Sequence, residues 1–65
     1  MRPGETVTVR DSKGLQLTRI VVEVIENTVV TCKPEEWIRA KCEGRDPICV
    51  GFPISAILRV KSANA

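Results

Sequence analysis

The side chains able to do chemistry gather in CKPEEWIRAKCEGRDPIC, residues 32 to 49, which holds all three cysteines and the single tryptophan of a 65-residue chain. Thiols offer nucleophilic, redox or metal-binding chemistry. The cysteines are spaced C-x9-C-x6-C at Cys32, Cys42 and Cys49, with no close pair, and histidine is absent. A structural zinc site wants four close ligands and commonly a paired-cysteine knuckle, so this spacing argues against zinc and against any cofactor. An odd number of cysteines in a chain without an export signal argues for free thiols. On that reading Cys32 and Cys49 are small hydrophobes near strand positions, and Cys42 lies one helical turn from Ile38.

Nucleophilic catalysis needs a base beside the nucleophile, and the commonest one, histidine, is missing. Lys33 beside Cys32, and Lys41 beside Cys42, would depress a thiol pKa only if folding brought the groups together. Glu35 and Glu36 are the one adjacent carboxylate pair, and neighbouring helix positions point them apart. The four glycines stand singly at 4, 14, 44 and 51, so no phosphate-cradling loop is present. The expectation is a protein that is not an enzyme.

Charge is mixed rather than patterned: ten Lys and Arg against eight Asp and Glu give a net +2. Candidate nucleic-acid contacts are Arg10 and Lys13 near the first turn, with Arg39, Lys41 and Arg45 around the helical segment. Asp11, Glu43 and Asp46 lie among them, which favours a solvated mixed-charge surface over a phosphate-binding stripe. Single-strand binding, a proline-rich-ligand groove or a methyl-lysine cage would each want several aromatic platforms, and only Trp37 and Phe52 are available. Trp37 itself is expected either to seal one end of the fold, with Ile38 and Cys42, or to anchor a partner. Trp37, Arg39, Lys41 and Arg45 are therefore the candidate partner contacts.

The elements that position these groups follow from periodicity. Thr6-Val7-Thr8-Val9-Arg10 alternates, with Val7 and Val9 facing inward. Residues 11 to 14, DSKG, have turn composition. LQLTRIVVEVI then reads as a long strand whose alternation changes phase, predicting a β-bulge near Thr18 and Arg19. Glu26 and Asn27 separate it from TVVTC, and Asn27 is the residue that best tolerates the left-handed backbone of a tight hairpin. Pro34, Glu35 and Glu36 at the start, Lys41 late and Gly44 at the stop predict a helix over about 34–43. Ile48, Val50 and Phe52 share a strand face ended by Pro53. ISAI suits one 3₁₀ turn, and LRV returns to a sheet. Five short strands without a crossover helix between parallel neighbours predict an all-β, strongly curved antiparallel barrel over residues 1–60, with a frayed tail at 61–65.

Gly4-Glu5-Thr6-Val7-Thr8-Val9 is similar to the Gly-acidic-x-Val-x-Val opening of SH3-like β-barrels, KOW-type domains among them. Phe52-Pro53-Ile54-Ser55-Ala56-Ile57-Leu58-Arg59-Val60 looks like their turn before the last strand. The resemblance spans residues 4 to 60 and implies a five-stranded SH3-like barrel, here with a helix inserted between strands 3 and 4. It implies no SH3 ligand, while its KOW-like aspect implies nucleic-acid binding as an alternative. VTVRDSKGLQLT also resembles the first hairpin of AbrB-type swapped-hairpin DNA-binding domains. Those continue into an amphipathic helix where this chain has Arg19 to Val24, a run of branched residues that favours a strand.

The chain has 43% hydrophobic and 28% charged residues, the balance of a folded domain. A domain this small buries only about 60% of its unfolded surface, which makes self-association attractive. No run of residues reads as a secretory signal or a membrane span, so a cytoplasmic location is expected. The leading functional expectation is a non-catalytic binding or assembly module that meets protein partners or its own copy. Nucleic-acid binding is the first alternative, and a thiol-based redox or metal role the second.

Overall fold

The computed structural model describes residues 1–61, and in it five antiparallel strands form one sheet. Strand β1 (Thr6–Arg10) is followed by β2 (Gln16–Ile25), β3 (Thr28–Cys32), helix α1 (Pro34–Glu43), β4 (Val50–Pro53), a 3₁₀ turn (Ile54–Ala56) and β5 (Ile57–Lys61). The order across the sheet is β4-β3-β2-β1-β5, so the first strand sits inside and the last returns beside it. This is the all-β class with one small helix that the periodicity predicts. The helix occupies 34–43 between β3 and β4 as expected. Lys61, expected in the tail, pairs with Thr6, and the rest of that expected tail, residues 62–65, lies outside the described residues.

The core is made by one face of the alternation. Val7, Val9, Val21 and Val29 are buried together, with Leu17, Phe52 and Ile57 packed against them. Register explains the grouping, since Val9 faces Leu17 on one side and Ile57 on the other, and Val29 faces Phe52. Thr31 joins the interior, fully buried, because its hydroxyl donates to the Val50 carbonyl at 3.1 Å, which satisfies the polar atom and ties β3 to β4.

The turn after β1 is held by its aspartate. Asp11 Oδ1 accepts the Lys13 and Leu15 amides at 2.9 and 2.8 Å, while Gly14, at φ 81°, supplies the left-handed residue. Helix α1 starts at Pro34, with acids in its first turn. It ends in a Schellman pattern: the Arg45 amide donates to the Ala40 carbonyl, the Gly44 amide to the Lys41 carbonyl, and Gly44 is left-handed at φ 67°.

Three local expectations are corrected. The β2 bulge lies at Val22, where the register with β3 steps from Val21↔Thr31 to Glu23↔Val30, and the β1–β2 ladder runs unbroken through Thr18 and Arg19. Leu17, Arg19 and Val21 therefore share the inward parity. Ile20 and Val22, of the opposite parity, are also half-buried, so apolar parity ceases to report a single interior. In the β2–β3 hairpin the left-handed residue is Glu26, at φ 54°, rather than Asn27. On the helix, Ile38 is 62% exposed and Cys42 is exposed, so neither helps Trp37 to seal the fold; the buried helical residue is Ala40. Helical spacing accounts for this, because Ala40 lies three residues from Trp37 on one face while Ile38 and Cys42 share another.

Candidate binding cleft

A cleft of about 370 Å³ opens where the start of α1 and the 44–49 return segment meet β3 and β4. Its apolar wall is Ile48, Val50 and Phe52, with buried Thr31 and Cys32 beside them. Its polar groups are Arg19, Lys33 and Glu36. Each is placed by an element: Val50 and Phe52 share a β4 face, Arg19 has the inward parity of β2, and Lys33 and Glu36 bracket the first helical turn.

Glu36 organises the rim. Its carboxylate takes two hydrogen bonds from Arg45, Nη1 at 2.6 Å and Nη2 at 3.3 Å, and the Ile48 amide donates to it at 2.9 Å. The Arg45 hydrogen bonds, helped by the Ile48 amide, pull its pKa down to about 2 from 4.5. Arg45 also meets Glu43 through Nε at 2.7 Å, and its guanidinium pKa is raised by these carboxylates, Glu36 first. One carboxylate thus fastens the return segment to the helix. Arg45 is shared between Glu36 and Glu43, while Arg19 and Lys33 add two further cations to the cleft lining.

The five cations singled out from sequence do not form one site. Arg45 is engaged in the clamp, and Lys41 Nζ stands 4.7 Å from the centroid of the Trp37 ring, a cation–π contact. Arg39 is exposed on the helix, while Arg10 and Lys13 are exposed at the far end of β1 and its turn. Trp37 is half-buried; a Cβ added at Gly4 would stand 3.8 Å from its Cζ2, so the ring rests against the turn that precedes β1. The three thiols are free: Cys32 is buried, and Cys42 and Cys49 are exposed. Burial, then the charges of Cys49 and Glu36, push the Cys32 thiol up. Burial, then Asp46, Glu36 and Glu23, push up that of Cys49. Neither is an activated thiolate.

Sequence reasoning missed Arg19, Lys33 and Glu36 as a group. The signal for Arg19 was present: it shares parity with Leu17 and Val21 in an otherwise branched strand. It also missed Arg59 and Lys61. These stand opposite Thr8 and Thr6, on the face that carries Arg10, and the corresponding positions of β1, β5 and residues 16–20 of β2 hold no Asp or Glu.

Among the described residues no helix is long and apolar enough to cross a membrane, and no three His, Cys, Asp or Glu side chains are grouped as metal ligands. Comparison with known protein families, curated proteins and solved structures finds no match for the chain.

Proposed function

We propose that the protein is a non-catalytic binding or assembly module that receives an extended segment of a protein partner, or of a second copy, along β4 and in the cleft beside it. The observation that carries this reading is the conjunction of an apolar cleft with an available strand edge. Strand β4 pairs with β3 on one side and, among the described residues, with no strand on the other. Ile48 and Val50 beside that edge are 75% and 58% exposed. An added strand would gain main-chain hydrogen bonds and seat alternate side chains against this apolar wall. Arg19 and Lys33 in the cleft lining favour a segment carrying an acidic residue near its apolar anchor.

The 3₁₀ turn before β5 supports an SH3-like barrel as the framework, and three free thiols suit a reducing, cytoplasmic setting. Selection of peptides from a random extended-peptide library, followed by calorimetric titration, tests the function. Binders rich in an apolar residue next to Asp or Glu, lost on Val50→Asp, are expected. Binders indifferent to Val50→Asp would overturn the reading.

The acid-free face bearing Arg10, Arg59 and Lys61 favours a second reading, contact with nucleic-acid phosphates on the opposite part of the sheet. Titration with single-stranded and duplex oligonucleotides at two salt concentrations separates it from the first. Phosphate contacts weaken steeply with salt and fall with Arg59→Ala, whereas the β4 cleft is untouched by that change.

A further inference from the structure

We infer that Cys32 and Cys49 are a matched thiol pair that closes to an intramolecular disulfide when the protein meets a small-molecule disulfide. Strands β3 and β4 pair as Thr28↔Pro53, Val29↔Phe52, Val30↔Gly51 and Thr31↔Val50. Strand β4 begins at Val50, and continuing its register one step into the preceding residue would set Cys49 opposite Cys32. Directly opposed residues of an antiparallel pair have Cα atoms about 4.5 to 5.5 Å apart and side chains on the same face. That separation lies inside the range of about 4.4 to 6.8 Å that a disulfide spans. Proximity has an independent sign, since the charge of Cys49 is felt at the Cys32 thiol and both thiols feel Glu36. Cys42, exposed on the helix, has no such place in the ladder.

The difference in exposure sets the order of events. Cys49 is exposed and its Sγ–H donates to the Pro47 carbonyl at 3.1 Å, whereas Cys32 is 2% exposed. The Cys49 thiolate attacks the small disulfide, forming a mixed disulfide and releasing one small thiol. Cys32, as thiolate, then attacks Cys49 Sγ, forming the protein disulfide and releasing the second small thiol. Two protein thiols are oxidised and one small disulfide is reduced to two thiols. The new bond would bolt the 44–49 segment to the end of β3, fixing the Ile48–Val50 wall of the cleft. This holds whatever the cleft binds.

Incubation of the folded, full-length chain with excess oxidised glutathione at about pH 8.5, followed by mass spectrometry without reductant, is the test. The expected product has Cys32 and Cys49 bridged with the loss of two hydrogens, any glutathione adduct is confined to exposed Cys42, and digestion yields a linked peptide joining Cys32 to Cys49. Cys42→Ser closes identically, with the loss of two hydrogens and no glutathione adduct. Cys49→Ser forms no bridge between Cys32 and any other residue. A persistent glutathione adduct on Cys49 in the folded protein, or a bridge to Cys42, would overturn the assignment.

Discussion

Glu36 and Arg45, nine residues apart in sequence, face each other across 2.6 Å and hold the return from α1 to β4 in place. Glu36 leaves the helix in its first turn, and Arg45 follows the glycine that ends it, so the pair closes the helix and its exit into one unit. Because the same carboxylate takes the Ile48 amide, the apolar wall of the cleft is positioned by a charged group. Glu36→Gln removes the charge-assisted bonds and leaves an amide of similar size. Hydrogen exchange at the Ile48 amide is expected to accelerate, with the β1–β2 ladder unchanged. Equal protection at Ile48 in both proteins would show that the clamp does not hold the segment.

The acid response of this clamp has a definite sign. A carboxylate whose folded-state pKa is depressed contributes stability that is fully present above its unfolded value and disappears as pH falls through the folded one. For Glu36 those limits are 4.5 and about 2. Stability is therefore expected to fall between them more steeply in the wild type than in Glu36→Gln, as followed by denaturant midpoints across that pH range. Parallel profiles would contradict it.

The hairpin between β2 and β3 carries a glutamate where the backbone is left-handed, Glu26 at φ 54°. A side chain in that conformation costs about 1 to 2 kcal/mol, part of which glycine recovers after its own greater loss of chain entropy. Glu26→Gly is expected to stabilise the protein by up to about 1 kcal/mol. Thermal unfolding of the two proteins checks this, and a lower midpoint for the variant would refute it. At Gly44 the same reasoning runs in reverse, and Gly44→Ala should cost about 1 kcal/mol.

Thr31 gives a further prediction. It is fully buried, and its hydroxyl has one partner, the Val50 carbonyl. Thr31→Val keeps the shape but leaves that carbonyl short of a donor, at a cost of about 1 to 2 kcal/mol. The β3–β4 ladder, and not β1–β2, should lose amide protection first. Uniform loss across the sheet would mean that Thr31 acts through the core rather than through β4.

Much of the fold could be read in the chain because its local signals agree. Alternation in Thr6–Arg10, the Pro34 start and Gly44 stop of α1, and Pro53 before the 3₁₀ turn each specify a local backbone, and the structure follows them. What was misplaced depended on neighbours. The bulge lies at Val22 rather than at the change of apolar parity because Ile20 and Val22 are half-buried on the second face of β2 as well, and Ile38 faces solvent because Ala40 takes the inner position. The cleft was illegible for the same reason: Arg19, Glu36 and Val50 come from three elements, and only the register brings them to one rim. In the same way, Arg59 joins Arg10 only once β5 is known to lie beside β1.

The central claim, that β4 and its cleft receive an extended segment, is tested most directly by amide hydrogen exchange of the protein bound to a selected peptide. Newly protected β4 amides, with shifts at Ile48 and Phe52 and none at Arg10 or Arg59, are the predicted result. Protection confined to β1 and β5, with β4 exchanging as in the free protein, would contradict it.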